Sequence, residues 1–137
     1  MIKDIAHAAF KVRDLDESLK FYCDILGFRE AFRLERDGKV WIVYLQVAKE
    51  TFIELFPDPE FSRAPNQGSY HHLCLEVGDL HEAVDELRRR GLKVEGEPQR
   101  GQDLNWQFWI KDPDGNDIEL MQISPESPQA KAGREWS

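Results

Sequence analysis

His7-Ala-Ala-Phe-Lys-Val-Arg-Asp-Leu-Asp-Glu-Ser-Leu19 decides the fold, because the chain runs the pattern twice. His72-Leu-Cys-Leu-Glu-Val-Gly-Asp-Leu-His-Glu-Ala-Val84 keeps His, Val, Asp, Leu and Glu in step, 65 residues further on. Phe52-Ile53-Glu54-Leu55-Phe56 and Asp117-Ile118-Glu119-Leu120-Met121 are related by the same offset of 65. A repeat at one fixed offset constrains architecture more tightly than local propensity does, since each copy must be one supersecondary unit.

Each copy reads as strand, helix, then strands, which makes the chain α+β. Residues 5–12 alternate as a strand. Asp14 is placed to cap a helix, with Glu17 three residues on. Leu15, Leu19, Tyr22 and Leu26 follow helical spacing, and Gly27 suits the left-handed position beyond the helix. In the second copy residues 73–77 are the strand. Asp79 with Glu82 repeats the cap, Leu80, Val84 and Leu87 form the apolar stripe, and Gly91 closes it. Residues 30–35 and 39–47 flank the hairpin signal Asp37-Gly38, and residues 51–56 form the next strand. Their counterparts are residues 93–95, 106–110 and 117–123, with Pro113-Asp114-Gly115-Asn116 as a turn. The modules therefore span residues 1–56 and 70–123. The Pro/Gly/Ser-rich residues 57–69 are predicted to link them, and residues 124–137 to form a loose tail containing Trp136.

Composition narrows the function. The chain has 137 residues, 41% of them hydrophobic, and a formal net charge of -8. That acidity argues against nucleic acid as a partner. No apolar run approaches the roughly 20 residues of a membrane span, and the N-terminus has no signal-peptide pattern, so the cytoplasm is the expected compartment. The two cysteines, Cys23 and Cys74, form no CxxC pair and read as buried free thiols. Arg88, Arg89 and Arg90 read as a solvated helix end complementing the helix dipole.

Strand alternation separates the chemistry from the core. His7, Ala9 and Lys11 share one face of the first strand, opposite Ala8, Phe10 and Val12. His72, Cys74 and Glu76 oppose Leu73, Leu75 and Val77. Glu54 and Glu119 each stand between two apolar neighbours. A lone strand His or Glu is ordinarily a packing or solvent-facing residue. Two accidents recurring at one offset and on one face are not expected. His7, Glu54, His72 and Glu119 together match a divalent transition ion, and the mixed N/O set suits Zn, Ni, Co, Fe or Mn better than Ca or Mg. His71 competes with His72 as a ligand, and the repeat register favours His72. Trp41, Trp106 and Phe108 are candidates to line an apolar pocket, with core packing as the alternative for each.

These stretches resemble the vicinal oxygen chelate superfamily and, within it, bacterial glyoxalase I (lactoylglutathione lyase). The resemblance rests on His7 with VRDLDESLKFYCDILGF, then FIELF, HHLCLEVGDL and DPDGNDIELMQ, and it covers residues 5–123. It implies tandem βαβββ modules in a U-shaped, mostly antiparallel eight-stranded sheet around a metal site, assembled as a homodimer. It also implies one divalent ion per site, nickel or zinc first and cobalt, manganese or iron also fitting. Glu54 favours the glyoxalase branch over the epimerases and the Fe(II) ring-cleaving dioxygenases, and the four intact ligand positions count against a bleomycin-resistance-type binder. The implied activity is isomerisation of the methylglyoxal–glutathione hemithioacetal, or a related thiol adduct, to a 2-hydroxyacyl thioester by proton transfer through a metal-stabilised enediolate. By the same resemblance Glu119 is the base, and Glu54 a ligand or second proton shuttle. Lys11 stands where the family commonly has a glutathione-binding Arg, and Asp58 where it commonly has Asn.

Overall fold

The computed structural model describes residues 1–62 and 68–136. It divides into two compact units, Met1–Pro65 and Asn66–Ser137. Of the expected linker, residues 63–67 lie outside the described residues.

In the first unit, strand β1 (His7–Val12) leads into helix α1 (Leu15–Leu19) and a π-helical continuation, Lys20–Ile25. Strands β2 (Arg29–Arg36), β3 (Lys39–Ala48) and β4 (Thr51–Pro57) follow. The sheet order is β1-β4-β3-β2. β1 runs parallel to β4, and the two remaining pairings are antiparallel. Asp37 and Gly38 both have positive φ, 54° and 76°. This is the two-residue hairpin geometry whose twist matches that of the flanking strands.

The second unit repeats this plan with β5 (Leu73–Glu76), α2 (Leu80–Arg89), β6 (Gln99–Arg100), β7 (Trp106–Lys111) and β8 (Asp117–Gln122). Its order is β5-β8-β7-β6, again with only the first pairing parallel. The eight expected strands thus form two four-stranded mixed sheets. Both caps form as read: the Asp14 carboxylate accepts from the Glu17 N–H at 3.1 Å, and Asp79 accepts from Glu82 N–H at 3.0 Å. Among the described residues no helix is long and apolar enough to cross a membrane.

Each core lies where the sheet meets its helix. Val43, Leu45, Ile53 and Leu55 are buried in the first unit, and Ile118, Leu120, Ile110 and Phe108 in the second. Fully burying one such side chain stabilises the fold by roughly 1.5–3 kcal/mol. The α2 stripe of Leu80, Val84 and Leu87 is buried as its spacing predicts. The first helix differs. Its buried residues are Ser18, Phe21 and Tyr22. The widened turn, marked by the Leu26 N–H bonding the Phe21 carbonyl at 2.9 Å, rotates the stripe away from regular α-spacing and brings two adjacent aromatic residues inward. Gly27 (φ 84°) ends this helix and Gly91 (φ 102°) ends α2. In the latter the Leu92 N–H reaches back to the Leu87 carbonyl at 3.0 Å, a left-handed closure that glycine adopts without steric cost.

Four expectations are corrected. Residues 93–95 do not form the short strand, which falls instead at Gln99–Arg100. The Arg88 guanidinium holds the Val94 carbonyl at 3.3 Å and the Gly96 carbonyl at 2.6 Å, so a side chain takes the acceptors a strand partner would use. Arg88 is therefore no free solvated cation, whereas Arg89 and Arg90 are paired with Glu86. The tail is not loose: Pro128–Arg134 forms helix α3, with the Ser127 hydroxyl accepting from the Ala130 N–H at 3.1 Å. Finally, Cys74 is exposed and Cys23 only half-buried, and Cys74 lies beside Glu119 on the face of its strand opposite Leu73 and Leu75.

Candidate functional site

The register places each Glu at the centre of its sheet. Glu54 on β4 lies between Ala9 of β1 and Tyr44 of β3. Glu119 on β8 lies between Cys74 of β5 and Trp109 of β7. Every one of these positions is matched at the 65-residue offset. The carboxylates are buried, Glu54 5% exposed and Glu119 6%. Parallel pairing of β1 with β4, and of β5 with β8, brings a histidine from the start of the neighbouring segment alongside.

In the first unit the His7 Nε2 closes on Glu54 Oε2. The Tyr44 ring stands edge-on to His7 at 6.2 Å and stacks on Phe32 at 4.2 Å. Tyr44 faces Glu54 across the β3–β4 pairing. Desolvation first, and then the carboxylate's charge, hold this phenol above its usual range. In the second unit His72 Nε2 lies 3.4 Å from Glu119 Oε1. His72 Nδ1 is 2.7 Å from Nδ1 of His71, so the neighbouring ring fixes its orientation and leaves Nε2 to face the carboxylate. Both histidines precede β5, and strand parity therefore does not separate them as the alternation predicts. The Trp109 ring meets His72 edge-on at 4.7 Å.

The other candidates divide between the two faces. Lys11 Nζ is 3.7 Å from Asp58 Oδ2, so the two residues that depart from the resemblance's pattern are paired with each other. The Trp41 ring meets Phe56 edge-on at 6.3 Å and carries the Arg36 guanidinium 3.5 Å above it. By alternation Trp41 falls with buried Val43 and Leu45, on the face of β3 opposite Tyr44. Trp106 and Phe108 lie opposite Gln122 and Leu120, on the other face of β7 from Trp109 and Glu119. Trp106 meets His81 of α2 at 5.8 Å, and Phe108 lies beneath Arg88 at 5.9 Å. Tyr44 and Trp109 are the site-face aromatic residues that reading by composition passed over. Their common offset of 65 and their parity with the acidic residues across the sheet were the available signal.

Within each unit one imidazole nitrogen and one buried carboxylate stand together, borderline and hard donors of the kinds that divalent transition ions take. An imidazole Nε2 beside a carboxylate oxygen is also how donors stand when they share a cation. Each pair offers two donors. Among the described residues no group of three or more His, Cys, Asp or Glu converges.

Tandem four-stranded mixed sheets, each carrying a His–Glu pair at equivalent strand positions, define a duplicated βαβββ protein. The chain belongs to the Glyoxalase/Bleomycin resistance protein/Dioxygenase superfamily, whose sequence model matches residues 4–120. A Synechocystis sp. protein named probable lactoylglutathione lyase is 32% identical over 127 residues, covering 88% of this chain and 95% of its own. The uncharacterized protein YwkD of Bacillus subtilis is 34% identical over 131 residues, covering 89% of this chain and 98% of its own. The crystal structure of a glyoxalase family protein from Enterococcus faecalis superposes with a TM-score of 0.76 at 24% identity, covering 87% of this chain and 97% of that one.

Proposed function

We propose that the chain is a divalent-metal-dependent lyase of the glyoxalase I type. Its substrate would be the hemithioacetal of methylglyoxal with glutathione or a related thiol, and its product the 2-hydroxyacyl thioester. The observation that carries this reading is the repeated pairing of a histidine Nε2 with a buried glutamate at equivalent registers of two sheets. Relatives named lactoylglutathione lyase support it.

His7, Glu54, His72 and Glu119 are the proposed ligands, one ion per site, with nickel or zinc as the expected metal. When bound, the ion supplies Lewis-acid charge to the substrate's adjacent oxygens. The protein's own groups move the proton. Glu119 takes it from the carbon bearing sulfur and returns it to the neighbouring carbon, so the reaction is an isomerisation that needs no oxidant. Glu54 stays in place as a ligand, and the two imidazoles act as anchors. Lys11 and Trp41 are proposed to touch the thiol portion. The Lys11–Asp58 pair has no net charge, which favours a thiol portion without a carboxylate at that point. A cytoplasmic homodimer is the proposed form.

Metal analysis joined to a hemithioacetal assay tests the reading. Glu119→Gln should retain most of its metal while kcat falls by about a hundredfold or more, the scale of a lost general base. A metal-loaded wild type inactive on the adduct would exclude the lyase reading and leave the metal site standing. Fe(II)-dependent oxygen uptake instead would point to ring-cleavage chemistry.

A further inference from the structure

The register of the first sheet lines residues up in rows across the face that carries the His7–Glu54 pair. Arg29 of β2 pairs with Gln46 of β3, Gln46 with Phe52 of β4, and Phe52 with His7 of β1. Directly opposed residues on neighbouring strands share a face, so Arg29 stands on the same face as His7. Lys11 lies further along β1, and Asp58 meets its charge. Arg29 is exposed and is held differently. Its NH2 group donates to Gln46 Oε1 at 2.6 Å, and Gln46 Nε2 donates in turn to the Lys49 carbonyl at 3.0 Å. The carboxamide is thus fixed at both ends, and its oxygen aims the guanidinium over the face. Glu30, the adjacent acid, falls opposite Leu45 on the other face and is engaged by Arg33 at 2.8 Å. Among the described residues, then, the one hydrogen bond of Arg29 is to a neutral amide. A guanidinium has five N–H donors in a planar fork that matches a carboxylate. Phe52 and Tyr44, with ring centroids 6.4 Å apart, lie between it and the His7–Glu54 pair.

Building on the proposed lyase reading, we propose that Arg29, aimed by Gln46, is a specificity-determining residue that binds a carboxylate of the substrate's thiol portion. Strands of a sheet lie ~4.8 Å apart, and two such spacings separate β2 from the strand of Glu54. A carboxylate docked on Arg29 therefore sits on the order of 10 Å from the His7–Glu54 pair, about three extended residue lengths. The thiol class is a short peptidic thiol whose chain crosses the Phe52 and Tyr44 rings. The Lys11–Asp58 corner, without net charge, takes an uncharged part of it. Arg29 is remote from the reacting carbons, so its bond is worth the same in the ground state and the transition state.

S-methylglutathione and its two monoamides, each lacking one carboxylate, are the probes, with binding to the purified protein read by isothermal titration calorimetry. Arg29→Gln should weaken binding of S-methylglutathione about tenfold or more, the scale of a lost hydrogen bond to a charged group. Arg29→Lys should lose less, since it keeps the charge without the fork. Gln46→Glu keeps the shape of the amide but hands the guanidinium an internal carboxylate, and should weaken binding as much as Arg29→Gln. One monoamide should bind the wild type about tenfold more weakly and be indifferent to Arg29→Gln, as coupling between two groups in contact requires. In hemithioacetal turnover Arg29→Gln should raise KM about tenfold while kcat stays within a few-fold of wild type, a split that a structural defect would not produce. A wild type that does not bind S-methylglutathione, or an Arg29→Gln variant that binds it equally well, would overturn the subsite. So would two monoamides that both respond to Arg29→Gln as the parent compound does. The lyase reading stands or falls separately. A wild type that binds the probe through Arg29 but leaves the adduct unchanged keeps the subsite and loses the lyase. A wild type that turns over the adduct with a KM indifferent to Arg29→Gln keeps the lyase and loses the subsite.

Discussion

At the scale of single residues, environment matters more than identity. Glu54 and Glu119 are both buried glutamates on a central strand, yet Ala9 and Tyr44 flank the first and Cys74 and Trp109 the second. Ser18 shows the same principle in the core: its hydroxyl is buried and has no hydrogen-bond partner among the described residues. Ser18→Ala should therefore raise stability by about 1 kcal/mol, readable as a higher urea midpoint, because it removes an unmet polar group without opening a cavity. A lowered midpoint would mean that the hydroxyl has a partner such as a bound water. Cys23 supplies a pH test. Desolvation, then Glu30 and Asp24, raise its thiol above the ordinary value. Only the thiolate is alkylated. The rate with iodoacetamide, followed on the Cys23 peptide, should rise with a midpoint above the roughly 8.5 of a free cysteine. A midpoint at or below that value would contradict the burial argument.

Among elements, the clearest correction is the C-terminal helix. Its composition of small and polar residues carries no apolar stripe, so periodicity reads it as tail. Ser127 caps it, Pro128 opens it, and buried Asn105 fastens it: the Asn105 carboxamide oxygen accepts from the Ser124 N–H at 2.9 Å, and its Nδ2 donates to Gln129 at 3.2 Å. Asn105→Ala should cost about 1–3 kcal/mol, the range for a buried polar group losing its partner, and should speed amide exchange across Pro128–Arg134. A helix that keeps its protection would show that Asn105 is not the fastening. Other elements were legible because their signals are local. The hairpin at Asp37-Gly38, the two Asp caps and the α2 stripe each depend on a few consecutive residues. The π-turn after Leu19 and the displacement of the short strand to Gln99–Arg100 depend on how side chains pack and on the Arg88 guanidinium holding the Val94 and Gly96 carbonyls, which propensity does not encode.

Across the whole molecule, duplication is the organising fact. Both units use one strand order and one register, and each contributes one imidazole and one carboxylate. If the four residues act as one ligand set, either His7→Ala or His72→Ala should remove the entire metal complement when purified protein is assayed by elemental analysis. Retention of about half by either variant would mean that each pair binds alone. The order of strands, the helix caps and the pairing of His with Glu at a constant offset could be read from the chain, because repetition and alternation are written along it. Tertiary structure decided that Lys11 pairs with Asp58 and which strand neighbours flank each glutamate, Tyr44 beside Glu54 and Trp109 beside Glu119. Those outcomes turn on strand register and on side chains meeting across a sheet, where residues far apart in sequence become neighbours and their polarity, not their order, sets the chemistry.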